Sequence, residues 1–392
     1  MTKSLPSLLR SALAGLLLAA CGGGVETGGT GAGAYVEAPV SGFGSVIAGG
    51  VRFEVATAHI EDAEGQGLDA AALQLGMRIE VEAGAIGHDA DGARSAAAQR
   101  VRVAAELLGP VSGFVSTSPF IEVLGQAVRV TAATVVGGVP GGLPALTVGD
   151  IVEVHGFPEA GGGSDRYVAT RIERRDAATP AFRVRGLVRS LDAVARTLRI
   201  GQQQYDLGTT GVPAGLANGQ MVRLVVGTTP VHGRWPVLSI RSEPRRLADR
   251  DEADVEGVVT ALASPTHFEV NGIEVHARDA AFVDGNVALG ARVRVRGRAE
   301  AGALFAGRVE LRSDQEAYEE GFDLRDAVTA LDPLAQTFAL RGMPVFYGSV
   351  PPPRFDNGSA ADLAAGRRVR VVGLLSADRT RVVASRIEFV NN

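Results

Sequence analysis

Five times along this chain a short pattern returns, and a chain so repeated folds as copies of one small unit. The pattern is an apolar residue, any residue, a glycine and another apolar residue. It reads Val40-Ser41-Gly42-Phe43, Val111-Ser112-Gly113-Phe114, Val184-Arg185-Gly186-Leu187 and Val255-Glu256-Gly257-Val258, with a degenerate fifth copy at Leu324-Arg325-Asp326-Ala327. The starts lie 71, 73, 71 and 69 residues apart. A second landmark keeps the same step: Gly76, Gly149, Gly219, Gly290 and Gly366, each followed by alternating apolar residues. A third closes each unit, as in Ala98-Gln99-Arg100-Val101 and Ala384-Ser385-Arg386-Ile387. Three landmarks in constant order predict modules over 36–106, 107–178, 179–248, 249–316 and 317–392. The polar stretches Arg174–Pro180 and Pro244–Glu252 read as solvated joints between them.

Within a unit the period is that of half-buried strands, as in Arg292-Val293-Arg294-Val295-Arg296. Gly49-Gly50 and Asn271-Gly272 are two-residue hairpin turns. A short helix fits before the second landmark, with Asp69 able to cap its start and Gly76 able to take the left-handed turn at its end. Each unit therefore reads strand, strand, strand, short helix, strand, strand. That order resembles the OB-fold, a small five-stranded barrel. The fold class expected is all-β, a tandem array of five small OB-like barrels. The repeats also resemble the bacterial family called domain of unknown function 5666, known from predicted lipoproteins. Its second motif, Gly-x-x-Val-x-Val-x-Gly, is matched in full at Gly290–Gly297 and Gly366–Gly373. The family carries no assigned chemistry, so the resemblance implies a fold and no activity.

Ahead of the modules, Lys3 and Arg10 precede and interrupt an apolar stretch from Leu8 to Ala20. It is too short to span a bilayer, which takes roughly 20 apolar residues, and reads as a secretory signal. Leu18-Ala19-Ala20-Cys21 resembles the lipobox of bacterial lipoproteins. The resemblance implies cleavage before Cys21, diacylation of its thiol and anchoring in the envelope, with the outer membrane favoured by the absence of aspartate after Cys21. Residues 22–35 are glycine-rich and read as a flexible tether. Loss of residues 1–21 removes two positive charges and no acid, taking the net charge from −5 to −7. So acidic a chain is not expected to bind nucleic acid. The one cysteine is consumed by lipid, leaving no thiol for a disulfide, a nucleophile or a metal.

Two places carry candidate chemistry. If Asn271-Gly272 is a two-residue turn, His267 faces His276 and Glu269 faces Glu274 on the outer side of the hairpin, while Phe268, Val270, Ile273 and Val275 face the core. Two imidazoles and two carboxylates so placed suit a divalent metal; neutralisation by Arg308 and Arg312 is the plainer alternative. Arg292, Arg294, Arg296 and Arg298 form a basic stripe on one strand face, suited to an anionic ligand if exposed. His88-Asp89-Ala90-Asp91-Gly92 begins like a calcium loop but lacks the later ligands. No lysine follows Lys3, which excludes a phosphate-loop lysine or a Schiff base, and no Gly-x-Ser-x-Gly elbow occurs. The expected function is a non-enzymatic, cofactor-free envelope protein that presents its modules for binding a glycan or a protein, or for scaffolding. Metal binding at the module 4 hairpin and a hydrolase with carboxylates gathered between modules are the alternatives.

Overall fold

The glycine landmark of every module is bonded to the module's opening strand, and this contact sets the fold. In this computed structural model, which describes residues 33–89, 92–114, 120–159, 166–242 and 245–390, Gly76 donates its N–H to the Val40 carbonyl at 2.8 Å and Val40 donates to Met77 at 2.8 Å. The same reciprocal pair joins Gly149 and Asp150 to Val111, Gly219 and Gln220 to Val188, Gly290 and Ala291 to Val259, and Gly366 and Arg367 to Val328. All five glycines have positive φ, between 77° and 97°, which a residue with a Cβ adopts only at a cost.

These bonds correct the alignment of the first landmark. They equate Val40 and Val111 with Val188, Val259 and Val328, four residues beyond the starts read in modules 3, 4 and 5. The motif glycines answer different local crowding. A Cβ on Gly42 would lie 2.1 Å from the Asp323 carbonyl oxygen, whereas one on Gly257 would strike the Asn271 side chain.

Each module is a closed barrel with the strand order 1-2-3-5-4-1, that of the OB-fold. In module 4 the opening strand Arg250–Ser264 pairs antiparallel with His267–Val270, which pairs with Ile273–His276. That third strand runs parallel to the closing strand Ala303–Leu311, as expected for an OB barrel. The closing strand pairs with Arg292–Glu300, which returns to the opening strand. Modules 1, 2, 3 and 5 close in the same order. The expected helix is one 3-10 turn at Ala70–Ala72, Leu143–Ala145 and Ala360–Asp362. Asp69 caps the first, as its position suggests. Modules 3 and 4 have turns there instead: Pro213 and Gly215, or Asp284 and Gly285, break the run. A helix not foreseen, Asp314–Glu319, joins modules 4 and 5 with a Ser313–Glu316 capping box.

The modules are not strung as beads. The opening strand of module 1, Gly33–Phe43, pairs in parallel with that of module 4 (Ala34 with Glu252 through Glu37 with Val255) and with that of module 5 (Gly42 with Asp323, Phe43 with Leu324). Module 2 pairs with module 3 through Leu107–Val184 and Leu108–Arg183. The hydrogen-bonded strands thus fall into two sets, modules 1, 4 and 5 and modules 2 and 3. Modules 1 and 5 share one apolar core, and modules 2 and 3 share another.

Two expected boundaries change. Gly33, Ala34 and Tyr35 belong to the opening strand rather than the tether, whose other residues lie outside the described residues with the signal and Cys21. Of the Pro244–Glu252 stretch, Pro244 lies outside the described residues; Arg245 and Leu247 turn inward and Arg250 to Glu252 are already strand, while Arg246, Ala248 and Asp249 stay exposed.

Candidate functional site

At the meeting point of the modules lies a chain of buried charges. Arg78 of module 1, 1% exposed, stands between the fully buried carboxylates of Glu37 and Glu106. Its Nε donates to Glu37 Oε1 at 3.0 Å, and its terminal nitrogens reach Glu37 and Glu106. Glu106 also accepts from Arg185 of module 3 at 3.1 Å. Glu37 accepts from Arg245 at 2.8 Å and from the Asn271 amide of module 4 at 2.9 Å. Burial would raise the Glu37 carboxyl, but Arg245 and Arg78 outweigh it and hold it well below the usual carboxylate range. Sequence reading missed this network, because its members lie 28 to 234 residues apart. Every cation and carboxylate in it has an opposite partner, so its role is to join modules.

The arginine stripe is corrected in the same way. Val293 and Val295 face the core as the alternation requires, but the other face is tied up in ion pairs and runs from the buried Arg294 to the exposed Arg298. Arg294 is buried, donates to Asp254 at 2.8 Å and reaches the Gly49 carbonyl of module 1. Arg292 pairs with Glu256 and lies over the Phe157 ring of module 2, 4.8 Å from its centroid. Arg296 pairs with Asp254 at 3.2 Å and Arg298 with Glu300 at 3.0 Å. The four do not form an open basic face.

The module 4 hairpin has the register its sequence implies. His267 pairs with His276, Phe268 with Val275, Glu269 with Glu274 and Val270 with Ile273. Asn271 and Gly272 carry φ of 52° and 80°, the left-handed pair that a tight hairpin needs. The four apolar residues are buried, each contributing about 1.5–3 kcal/mol. Outside, His267 Nε2 lies 3.0 Å and His276 Nε2 3.2 Å from the same Glu274 oxygen. The two imidazoles stack 4.9 Å apart, and His276 stacks at the same separation on Phe305 of the closing strand. The hydrogen bond from His267 is the chief cause holding the Glu274 carboxyl below its ordinary value. Glu269, expected to join them, is not part of the converging group. Arg308 and Arg312 are engaged by Glu310 and Glu320. In the other loop, Asp89 is held by Arg52 at 2.9 Å, while Ala90 and Asp91 lie outside the described residues.

Where modules 1, 2, 3 and 5 meet, a cleft of about 900 Å³ opens. That is within the range of small-ligand sites. Its apolar wall includes Leu68, Met77, Val136, Val139 and Met343. Its polar wall is a lattice of ion pairs: Arg171 with Glu173, Arg175 with Glu153, and Arg183 with Glu64, each at 3.0 Å. Glu64 keeps one oxygen, and Arg381 its Nε, without a hydrogen-bond partner among the described residues. Burial would raise the Glu153 carboxyl, but His155 and Arg175 hold it low. Asp378 is also held low, chiefly by the Ser376 hydroxyl. Phe43 is in the core and Phe114 stands exposed at its strand end, so neither lines the cleft.

Comparison with protein-family models finds the Domain of unknown function (DUF5666) at residues 109–173, 256–310 and 327–388. Three of the five modules match that family model. They are modules 2, 4 and 5, the last despite Asp326 in place of the motif glycine. Modules 1 and 3, outside the matched residues, have the same strand order as the matched modules. No curated protein matches the chain. The matched domain has no assigned function.

Proposed function

We propose that the protein is a non-enzymatic binding protein of the cell envelope, anchored by lipid at Cys21, that holds a glycan strand in the cleft between modules 1, 2, 3 and 5. The observation that carries the reading is the cleft wall, in which guanidinium and carboxylate groups alternate, already paired, beside apolar patches. A sugar hydroxyl both donates and accepts, so it adds to such pairs without breaking them. A polyphosphate would have to compete with fixed carboxylates for each arginine. A general-acid role for Glu153 or Asp378 is disfavoured by their low carboxyls, since a general acid needs the opposite displacement. OB barrels commonly take oligosaccharides on one face; here the modules build one site together.

The test is calorimetric titration of residues 25–392 with soluble cell-wall oligosaccharides, with heparin as the polyanion control. Ala72 lines the cleft and is exposed, so Ala72→Trp should fill it without unfolding the protein. Oligosaccharide binding that Ala72→Trp abolishes supports the reading. Heparin binding alone, or binding indifferent to Ala72→Trp, refutes it. In cells, Cys21→Ala should stop fatty-acid labelling and release the protein from membranes; labelling that persists would refute the anchor.

A further inference from the structure

We infer that the outer face of the module 4 hairpin is a divalent transition-metal site, with His267, Glu274 and His276 as its three protein ligands. Three observations bear on it independently of the cleft. First, both Nε2 atoms and a Glu274 oxygen converge, all ligand atoms lying within 4.8 Å of one another. Both rings already point at one carboxylate oxygen, so a metal replaces hydrogen bonds with little side-chain rearrangement.

Second, the frame is stiff. Asn271 is fully buried, accepts the Val258 N–H at 3.1 Å, and donates to Glu37 at 2.9 Å and to the Glu256 carbonyl at 3.2 Å. Behind His276, Phe305 backs the stack, and the Arg298 guanidinium lies 5.4 Å from the Phe305 ring centre. The ligands therefore sit on a strand pair whose register the turn and the core both determine.

Third, the hairpin places Glu269 directly opposite Glu274 on the same face. Carboxylates so placed repel unless a cation lies between or beside them. Arg308 and Arg312 of the closing strand are engaged by Glu310 and Glu320, and a metal at the histidines would join Arg246 in offsetting the repulsion.

Two imidazoles and one carboxylate favour zinc, copper or nickel over calcium or magnesium, which prefer all-oxygen shells. Three protein ligands on an exposed hairpin leave a coordination position to water or to an incoming donor. Ligation requires both Nε2 atoms to be free of hydrogen, so binding releases protons and weakens in acid.

The experiment is calorimetric titration of chelator-treated residues 25–392, made without a histidine tag, with zinc chloride, alongside magnesium and calcium chlorides. Cobalt chloride gives a visible spectrum as a second readout of coordination. One zinc per chain is expected, with no heat from magnesium. His267→Gln with His276→Gln should weaken zinc more than about a hundredfold, since even outer-shell changes cost 10–100-fold. Glu269→Gln removes a facing charge but no ligand and should weaken zinc by less than about tenfold, and the metal-free fold should survive in both variants because these side chains stand on the outer face of the hairpin. No zinc binding, or stoichiometric binding that survives the double histidine replacement, overturns the inference. Neither outcome touches the glycan reading, whose cleft has no residue from module 4.

Discussion

Replacing Arg78 with methionine should destabilise the protein by about 3–5 kcal/mol, the penalty of stranding buried charges. Arg78 is the middle of the network, and its loss leaves the fully buried carboxylates of Glu37 and Glu106 facing one another. Arg245 and Arg185 still hold the outer sides, which keeps the expected cost at that range rather than above it. The melting temperature reports how far the damage spreads. At about 2.1 cal/mol/K per residue, roughly 360 residues unfolding together lose about 5 °C for 4 kcal/mol. The same loss confined to one module of about 70 residues would lower that module's transition about five times as far. Because the network joins modules 1, 3 and 4, we expect one transition moved by about 5 °C, measured by scanning calorimetry at neutral pH with urea unfolding as the second measure. A change below about 1 kcal/mol would show that the charges are already solvated. A large drop in one transition with the others unmoved would show that the modules melt separately.

Two further outcomes follow from the same packing. Gly42→Ala places a methyl group 2.1 Å from the Asp323 carbonyl oxygen and should cost about 1–3 kcal/mol, with faster amide exchange over Phe322–Ala327; unchanged exchange there would refute the module 1–module 5 pairing. Glu37, Glu153 and Glu256 are all held below their ordinary value of 4.5, in each case because neighbouring cations outweigh burial. Their stabilisation is complete above that value and is lost as pH falls below it, where the unfolded chain binds more protons. The urea midpoint should therefore be nearly level from about pH 7 to 5 and drop below about 4.5; a decline beginning near pH 6 would point instead to histidine.

The strands were legible because alternation is local. Arg292 to Arg296 could be read as a strand, and Asn271-Gly272 determined which residues of the hairpin face each other, so the metal candidate was visible except for the exclusion of Glu269. What alternation cannot report is what covers the outer face. Arg294 and Arg298 have the same place in the period, yet one is buried against module 1 and the other exposed. The Glu37–Asn271 contact and the cleft depend on which modules meet, and that is decided by contacts between residues far apart in the chain. The first landmark misaligned the repeats because a glycine there answers whichever neighbour comes close, Asp323 in one module and Asn271 in another.

The parallel pairing of Ala34 with Glu252 has a consequence for how the chain is made. The residues stand 218 positions apart, and the edge they close, residues 34–37, is synthesised well before its partner. Until module 4 arrives, that backbone is a bare strand edge, the kind that recruits other strands. Only when its fourth barrel has formed does the first lose this liability. A chain truncated after module 3 should therefore self-associate, and the number of modules is bound to the way the assembly protects its own beginning.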